Sequence, residues 1–394
     1  MSLLDRGPRT SVDRWFPVRL FGAAWVAITL VTGAGIASLG DYRFHRISPH
    51  AMSAGVLSWL EGWTWWDGAW YVGIVRHGYF FRPGHMSSVA FFPGYPLAGR
   101  VLTAVLRDPL LALVVVSSLS GLAGVVLFHR WCGRHMTSTE ARYAVASLVV
   151  YPCAFYLMGV TYADGMFLAL ALAAFVFLED DRPVAAGVMA LLATATRPLG
   201  VAVVAGLWWR TLELRNSSPS GRRRRAVGLR PADAGLLLAP MGLVAYCGYL
   251  AVRFGRPLAF VQAEAGWRQE PGPATWSKVS WFREMARSPY LNPGHLHLVG
   301  NALVAVVAVC LLPSVFRRFG TAYGVYASVL VVGAALSTRD FIGMGRYVLP
   351  AFPLFGVVGA AAARSPRVAR AALVVSAGLL LGLAFVHGRG TLVS

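Results

Sequence analysis

Apolar residues recur along the chain in runs long enough to cross a bilayer, separated by short polar segments. The runs predict spans at 18–39, 109–130, 141–160, 162–178, 184–196, 198–210, 233–252, 296–315, 320–337, 346–362 and 368–386. This is the pattern of an all-α polytopic membrane protein with about eleven transmembrane helices in a single integral domain, 1–394. The fifth and sixth runs are short and meet at Arg197-Pro198, where proline breaks a helix, so two short helices are expected to meet near a membrane face. Segment 89–106 is apolar too, but Pro93, Pro96 and Arg100 suit it to an interfacial helix better than a twelfth span. The first run follows Arg6, Arg9 and Arg14 and is too long for a signal-peptide core, so it reads as a retained span.

Composition narrows the class. Of 394 residues 57% are hydrophobic and 13% charged, against about 25% charged in soluble proteins, which excludes a water-soluble globule and a disordered chain. The net charge is +19, and Lys278 is the only lysine; this arginine bias hints at a GC-rich bacterial genome. With the N-terminus in the cytoplasm, arginine concentrates in 1–17, 131–140, 211–232, 316–319 and 363–367, whereas the short segments on the other side are poor in it. The positive-inside rule therefore puts the long loops 40–108 and 253–295 outside the cytoplasm, in what reads as a bacterial plasma membrane. Loop 211–232 is a basic cytoplasmic loop whose Arg222–Arg225 run serves as a topological anchor; nucleic acid is not an expected partner. The four cysteines, Cys132, Cys153, Cys247 and Cys310, form no CxxC pair and suggest neither a disulfide framework nor zinc.

Candidate chemistry gathers in the first outer loop. Asp67 lies in Trp65-Trp66-Asp67-Gly68-Ala69-Trp70-Tyr71. A carboxylate among aromatic rings is partly desolvated and suited to general-base work, the rings can stack on sugar faces, and Gly68 would admit close approach of a substrate. The competing reading is an interfacial aromatic belt with Asp67 as a helix cap. Asp164, where the fourth run begins, is a boundary carboxylate that serves either function or a helix N-terminus. Arg197, at the helix break, and Arg346, in Gly345-Arg346-Tyr347, would suit a lipid phosphate; each could instead snorkel to headgroups. No Walker loop, dinucleotide fingerprint, Asp-x-Asp pair or metal-ligand cluster is present, so no cofactor and no metal is expected.

Trp66-Asp67-Gly68-Ala69-Trp70-Tyr71, then His77-Gly78-Tyr79 and Ala90-Phe91-Phe92-Pro93-Gly94-Tyr95-Pro96-Leu97, resembles the PIG-V-like mannosyltransferases, membrane-embedded glycosyltransferases of the GT-C type. The resemblance continues in order through Tyr162-Ala163-Asp164-Gly165, Ala195-Thr196-Arg197, the Phe260-to-Trp267 stretch and Arg346-Tyr347. It implies a GT-C-type bundle with a catalytic first outer loop, and inverting transfer of mannose from a polyprenyl-phosphate donor to an acceptor hydroxyl on a glycolipid, glycan or protein. It implies Asp67 as the base, with Trp66, Trp70, Tyr71, His77, Tyr79, Asp164, Arg197, Gln262, Trp267, Arg346 and Tyr347 as candidate substrate contacts. Eukaryotic members commonly carry glutamate where this chain has Asp164. Three rivals stay open: a lipid-linked sugar transporter or flippase, a non-catalytic assembly subunit, and the same chemistry with another sugar.

Overall fold

A computed structural model describes residues 13–39, 60–216, 228–269, 271–287 and 293–391. The Arg222–Arg225 run and the start of the first long loop lie outside the described residues. Among the described residues every regular element is helical. Five helices among the described residues are long and apolar enough to cross a membrane: Phe16–Ala37, Pro109–His135, Pro231–Phe254, His295–Phe319 and Pro366–Gly388. Shorter apolar helices complete the bundle, among them Asp164–Glu179, Pro183–Thr194, Val201–Asn216, Thr321–Ser337 and Phe352–Arg364. The chain is a polytopic membrane protein. Its outer faces expose aliphatic side chains such as Leu30, Val252 and Val374, as a lipid-facing surface requires.

Asp164–Glu179 is the central helix, with Phe167, Leu168, Leu172 and Phe175 wholly buried. It crosses Pro109–His135 at small residues: a Cβ on Gly165 would fall 3.0 Å from the Gly121 nitrogen. That closeness fixes where Asp164, the first residue of the helix, stands. Its other end, roughly 22 Å along the axis, is tied by charge. Glu179 accepts from Arg210 (2.8 Å) and the Tyr323 hydroxyl (2.6 Å), while Arg134 reaches Asp180 (2.6 Å). Nearby, Arg215 holds Asp233 (2.6 Å).

Each of the eleven predicted runs contains a helix, and two of them end differently from expectation. The run at 141–160 is helical only over Ser138–Val149; Pro152 has no amide hydrogen and pushes Tyr151 out of the helical region. The chain goes on through a buried turn at Ala154–Leu157 to Asp164. The run at 346–362 is likewise divided at Pro350 into the turn Met344–Tyr347 and the helix Phe352–Arg364. Non-helical backbone survives in a membrane protein where protein satisfies it. Here Asn301 accepts from the Gly345 amide (2.9 Å) and the Tyr326 hydroxyl donates to the Pro350 carbonyl (2.7 Å). These two interruptions carry several of the site residues.

The segment at 89–106 forms the amphipathic helix Gly94–Leu106, which exposes Leu97, Val101 and Val105 along one stripe. At 13 residues, about 20 Å, it is too short to span. Arg100 donates to the carbonyls of Ile74 and Val75 and so closes the C-terminal end of helix Asp67–His77.

Candidate functional site

Asp67 opens its helix from a strained turn. Trp66 has φ 60° and ψ −121°, and the Gly68 amide donates to the Trp65 carbonyl (3.1 Å), so a tryptophan occupies a turn position that glycine normally fills. Such a conformation costs about 1–3 kcal/mol and persists only where neighbours hold it. The neighbours are residues 161–162. The Asp67 amide donates to the Tyr162 hydroxyl (3.0 Å), which donates to the Trp65 carbonyl (3.2 Å). The Thr161 amide and hydroxyl both donate to the Trp63 carbonyl. Gly68 is buried against this segment: a Cβ there would lie 2.5 Å from Thr161 Oγ1. Its small size thus serves packing rather than the open approach of a substrate expected from sequence.

The four charged residues singled out in sequence converge. Arg346 Nη1 donates to Asp67 Oδ2 (3.0 Å), Arg346 Nε lies 4.0 Å from Asp164 Oδ2, and Arg197 pairs with Asp164. The aspartates do not cap their helices; both point to arginines. Tyrosine faces enclose the guanidiniums. Arg346 lies over Tyr162 (4.8 Å), Tyr347 (5.0 Å) and Tyr156 (5.7 Å), and Arg197 over Tyr347 (5.2 Å). Two anions and two cations balance, which makes their burial tolerable. The cluster is graded in exposure: the Asp164 side chain is 1% exposed, Arg346 10%, Arg197 12% and Asp67 33%. Asp67 is therefore the edge that solvent reaches. Arg346 Nε is buried and makes no hydrogen bond; its nearest charge is Asp164.

An aromatic wall adjoins this edge. Trp70 stacks on Phe91 (5.7 Å) and meets Trp267 edge-on (5.6 Å), and Tyr71 packs against Phe91 and Tyr95. Trp267 belongs to the turn Glu264–Trp267, which brings the second long loop onto the first; Gly266 seats against the His85–Met86 backbone with no room for a side chain. Glu264 lies on the same turn. Burial, then the negative charge of Asp67, push its carboxyl up to about 7. Other expected contacts stand farther out. Trp66 is half exposed, and Gln262 is exposed with its oxygen accepting from Arg256. His77 is at the exposed far end of its helix, and Tyr79 donates to the Phe91 carbonyl with its ring against Tyr246 and Tyr249. Among the described residues no three His, Cys, Asp or Glu side chains cluster as a metal site would require.

Comparison with known proteins adds a relative. Over 157 residues the chain is 31% identical to GPI alpha-1,6-mannosyltransferase 2 of Cricetulus griseus, a stretch of 37% of this chain and 31% of that protein. The chain thus matches about a third of its relative's length. No family model matches. Among solved structures, ArnT from Cupriavidus metallidurans bound to undecaprenyl phosphate aligns over 95% of this chain and 76% of its own, with a TM-score of 0.49 and 13% identity. The Archaeoglobus fulgidus oligosaccharyltransferase tethered with an acceptor peptide aligns over 96% and 56%, with a TM-score of 0.42 and 12% identity.

Sequence reasoning missed Tyr156, Tyr162 and Glu264. Tyr162 was visible only as Asp164's neighbour in Tyr162-Ala163-Asp164. Glu264 carried the better signal: an acid three residues before a tryptophan in an outer loop, the same pairing of acid and aromatic that marked Asp67.

Proposed function

We propose that this protein is a membrane glycosyltransferase of the GT-C type. It moves a sugar, mannose in the first instance, from a polyprenyl-phosphate donor to the hydroxyl of a glycolipid, glycan or protein acceptor. The observation that carries this reading is the Asp67–Arg346 pair at the open edge of a buried carboxylate–arginine cluster. Support comes from the aromatic wall beside it, shaped for a sugar face, and from the stretch shared with a mannosyltransferase.

In the reaction, Asp67 accepts the acceptor's hydroxyl proton as that oxygen attacks C1 from the face opposite the phosphate. The bond from C1 to the phosphate oxygen breaks, its electron pair leaves with the polyprenyl phosphate, and the configuration inverts. Arg346 serves this exchange through Asp67, which its Nη1 orients, and its positive charge favours the leaving phosphate. Arg197, held by Asp164 and Tyr347, adds positive charge behind it. Trp70, Tyr71 and Trp267 line the sugar, with Trp66 at the entrance; Tyr347, His77, Tyr79 and Gln262 are outer contacts. The active site faces away from the cytoplasm, because the arginine-rich end, with Arg134, Arg210 and Arg215, is the opposite one.

The test is incubation of the purified protein with a panel of radiolabelled polyprenyl-phosphate sugars and membrane extract, followed by the anomeric configuration of the product. Mannose transfer with inversion, abolished in Asp67→Asn, is the expected result. Transfer of a different sugar would keep the mechanism and change the donor. Movement of the lipid across vesicles without a glycosylated product would replace the reading with a flippase.

A further inference from the structure

The last helix, Pro366–Gly388, ends against the turn that carries Asp67. We propose that Trp65 is a positioning residue for the transfer reading above: its indole, docked on that helix end, sets where Asp67 stands against Arg346.

The dock is specific on both sides. Trp65 is buried, and its indole Nε1 donates to the Gly388 carbonyl (3.0 Å), one of the acceptors that a helix end leaves without an intrahelical partner. The ring lies on Gly390: a Cβ there would come 3.1 Å from the indole Cε2, Cζ2 and Cη2. Gly390 also has φ 78°, a conformation that glycine adopts without steric cost. Ile36, Leu39 and Ala69 pack around the ring. The corner it docks on is rigid, because helices Phe16–Ala37 and Pro366–Gly388 meet there backbone to backbone. A Cβ on Gly35 would strike the Phe385 carbonyl, and one on Gly388 the Thr32 carbonyl.

Trp65 passes its position to Asp67 through a turn with no slack. The Trp65 carbonyl accepts from both the Gly68 amide (3.1 Å) and the Tyr162 hydroxyl (3.2 Å), and the one intervening residue, Trp66, is held at φ 60°. A turn pinned on both sides in a strained conformation cannot absorb a rotation of Trp65, so the Asp67 carboxylate moves with it. The indole is 7% exposed, and its influence on a substrate therefore runs through Asp67. The same helix end supports the partner of Asp67. His387, wholly buried, packs on Tyr156 (5.8 Å), whose ring lies against the Arg346 guanidinium (5.7 Å). One corner of the bundle thus braces both members of the Asp67–Arg346 pair.

The experiment uses Trp65→Phe, which keeps a ring in the pocket and removes the N–H donor. Two readouts are taken in nanodiscs. The first is kcat and KM with polyprenyl-phosphate mannose. The second is the rate at which maleimide labels Asp67→Cys in protein whose native cysteines are replaced, with the exposed Met86→Cys, which makes none of these contacts, as reference. In Trp65→Phe, kcat should fall about tenfold with KM for the donor within about twofold of the wild type, the signature of a misplaced base rather than a lost binding contact. Labelling of Asp67→Cys should rise about fivefold and that of Met86→Cys should not change, because the loosening is local. Gly390→Ala, which presses a methyl group onto an intact indole, should give the same pattern and serves if Trp65→Phe does not fold. Tyr162→Phe removes the other brace on the turn, so the double variant with Trp65→Phe should lose less than the product of the two single losses. Unchanged kcat and unchanged labelling at position 67 overturn the inference while leaving the functional reading intact. So does an equal rise at position 86, which would make Trp65 a residue of general stability, or a double variant whose losses simply multiply. A wild type without transfer overturns the functional reading, and the labelling rates then decide by themselves whether the dock places residue 67.

Discussion

Trp66 is the clearest case of a single residue kept against its own conformational preference. It adopts φ 60° with a side chain that is 48% exposed, so little packing compensates for the strain. Trp66→Gly should raise the melting temperature, by the equivalent of about 1 kcal/mol, because glycine adopts this turn freely. If the indole guards the sugar entrance, transfer falls at the same time; a more stable and equally active variant would show that the ring has no part in catalysis. The charged residues divide by burial. Asp164→Asn leaves Arg197 buried without its counter-charge, which costs about 3–5 kcal/mol and should be visible as a large loss of thermal stability. Asp67→Asn, at a position one-third open to solvent, should change stability little while abolishing transfer. Thermal melts of the two variants side by side separate the fold from the chemistry. Asp164, Arg197 and Arg346 were legible because a charge at the edge of an apolar run is conspicuous, and Asp67 because it is a carboxylate among tryptophans. Their mutual pairing was not, since Asp67 and Arg346 are 279 positions apart and no spacing rule joins them.

At the scale of helices, the hydrophobic pattern located a helix in every predicted run but misplaced the ends wherever an apolar residue did not need to be helical. Residues 151–160 read as the tail of a helix because they are apolar; Pro152 was the signal that they are not, and the irregular path from there to Asp164 delivers Tyr156 and Tyr162 under Arg346. Pro350 did the same for the turn that carries Arg346. Proline within an apolar run therefore marked the site more reliably than hydropathy did. The helix seams are just as specific. Gly68→Ala would drive a methyl group into Thr161 Oγ1 and displace the turn bearing Asp67, so kcat should fall at least tenfold with secondary structure unchanged by circular dichroism. At the opposite end, Glu179→Ala strips acceptors from Arg210 and the Tyr323 hydroxyl. It should destabilise by about 3–5 kcal/mol without touching the chemistry, leaving KM for the donor as in the wild type.

The whole molecule is polar at its two ends in unlike ways, and the proposal that the site faces away from the cytoplasm can be tested on that asymmetry. One end holds a salt-bridge network in which arginines 130, 134, 210, 215 and 230 meet Glu179, Asp180, Asp181 and Asp233. The other holds the self-neutralising Asp67–Arg346–Asp164–Arg197 cluster under an aromatic cover. The first end holds the larger number of arginines, which is the side the positive-inside rule assigns to the cytoplasm. Under the proposed function a donor whose tail lies in the bilayer enters sideways and its acceptor arrives from the aqueous side on which Asp67 opens. Cysteine labelling in intact cells tests the orientation. Met86→Cys, exposed beside the Glu264–Trp267 turn, should react with a membrane-impermeant maleimide added outside. Arg182→Cys, exposed next to the ion network, should react only after permeabilisation. Native Cys132 and Cys153 are buried, and a cysteine-free background removes Cys247 and Cys310 from the readout. The reverse pattern would put the site in the cytoplasm and remove the case for a donor approached from the outer leaflet, even if Asp67 proved essential.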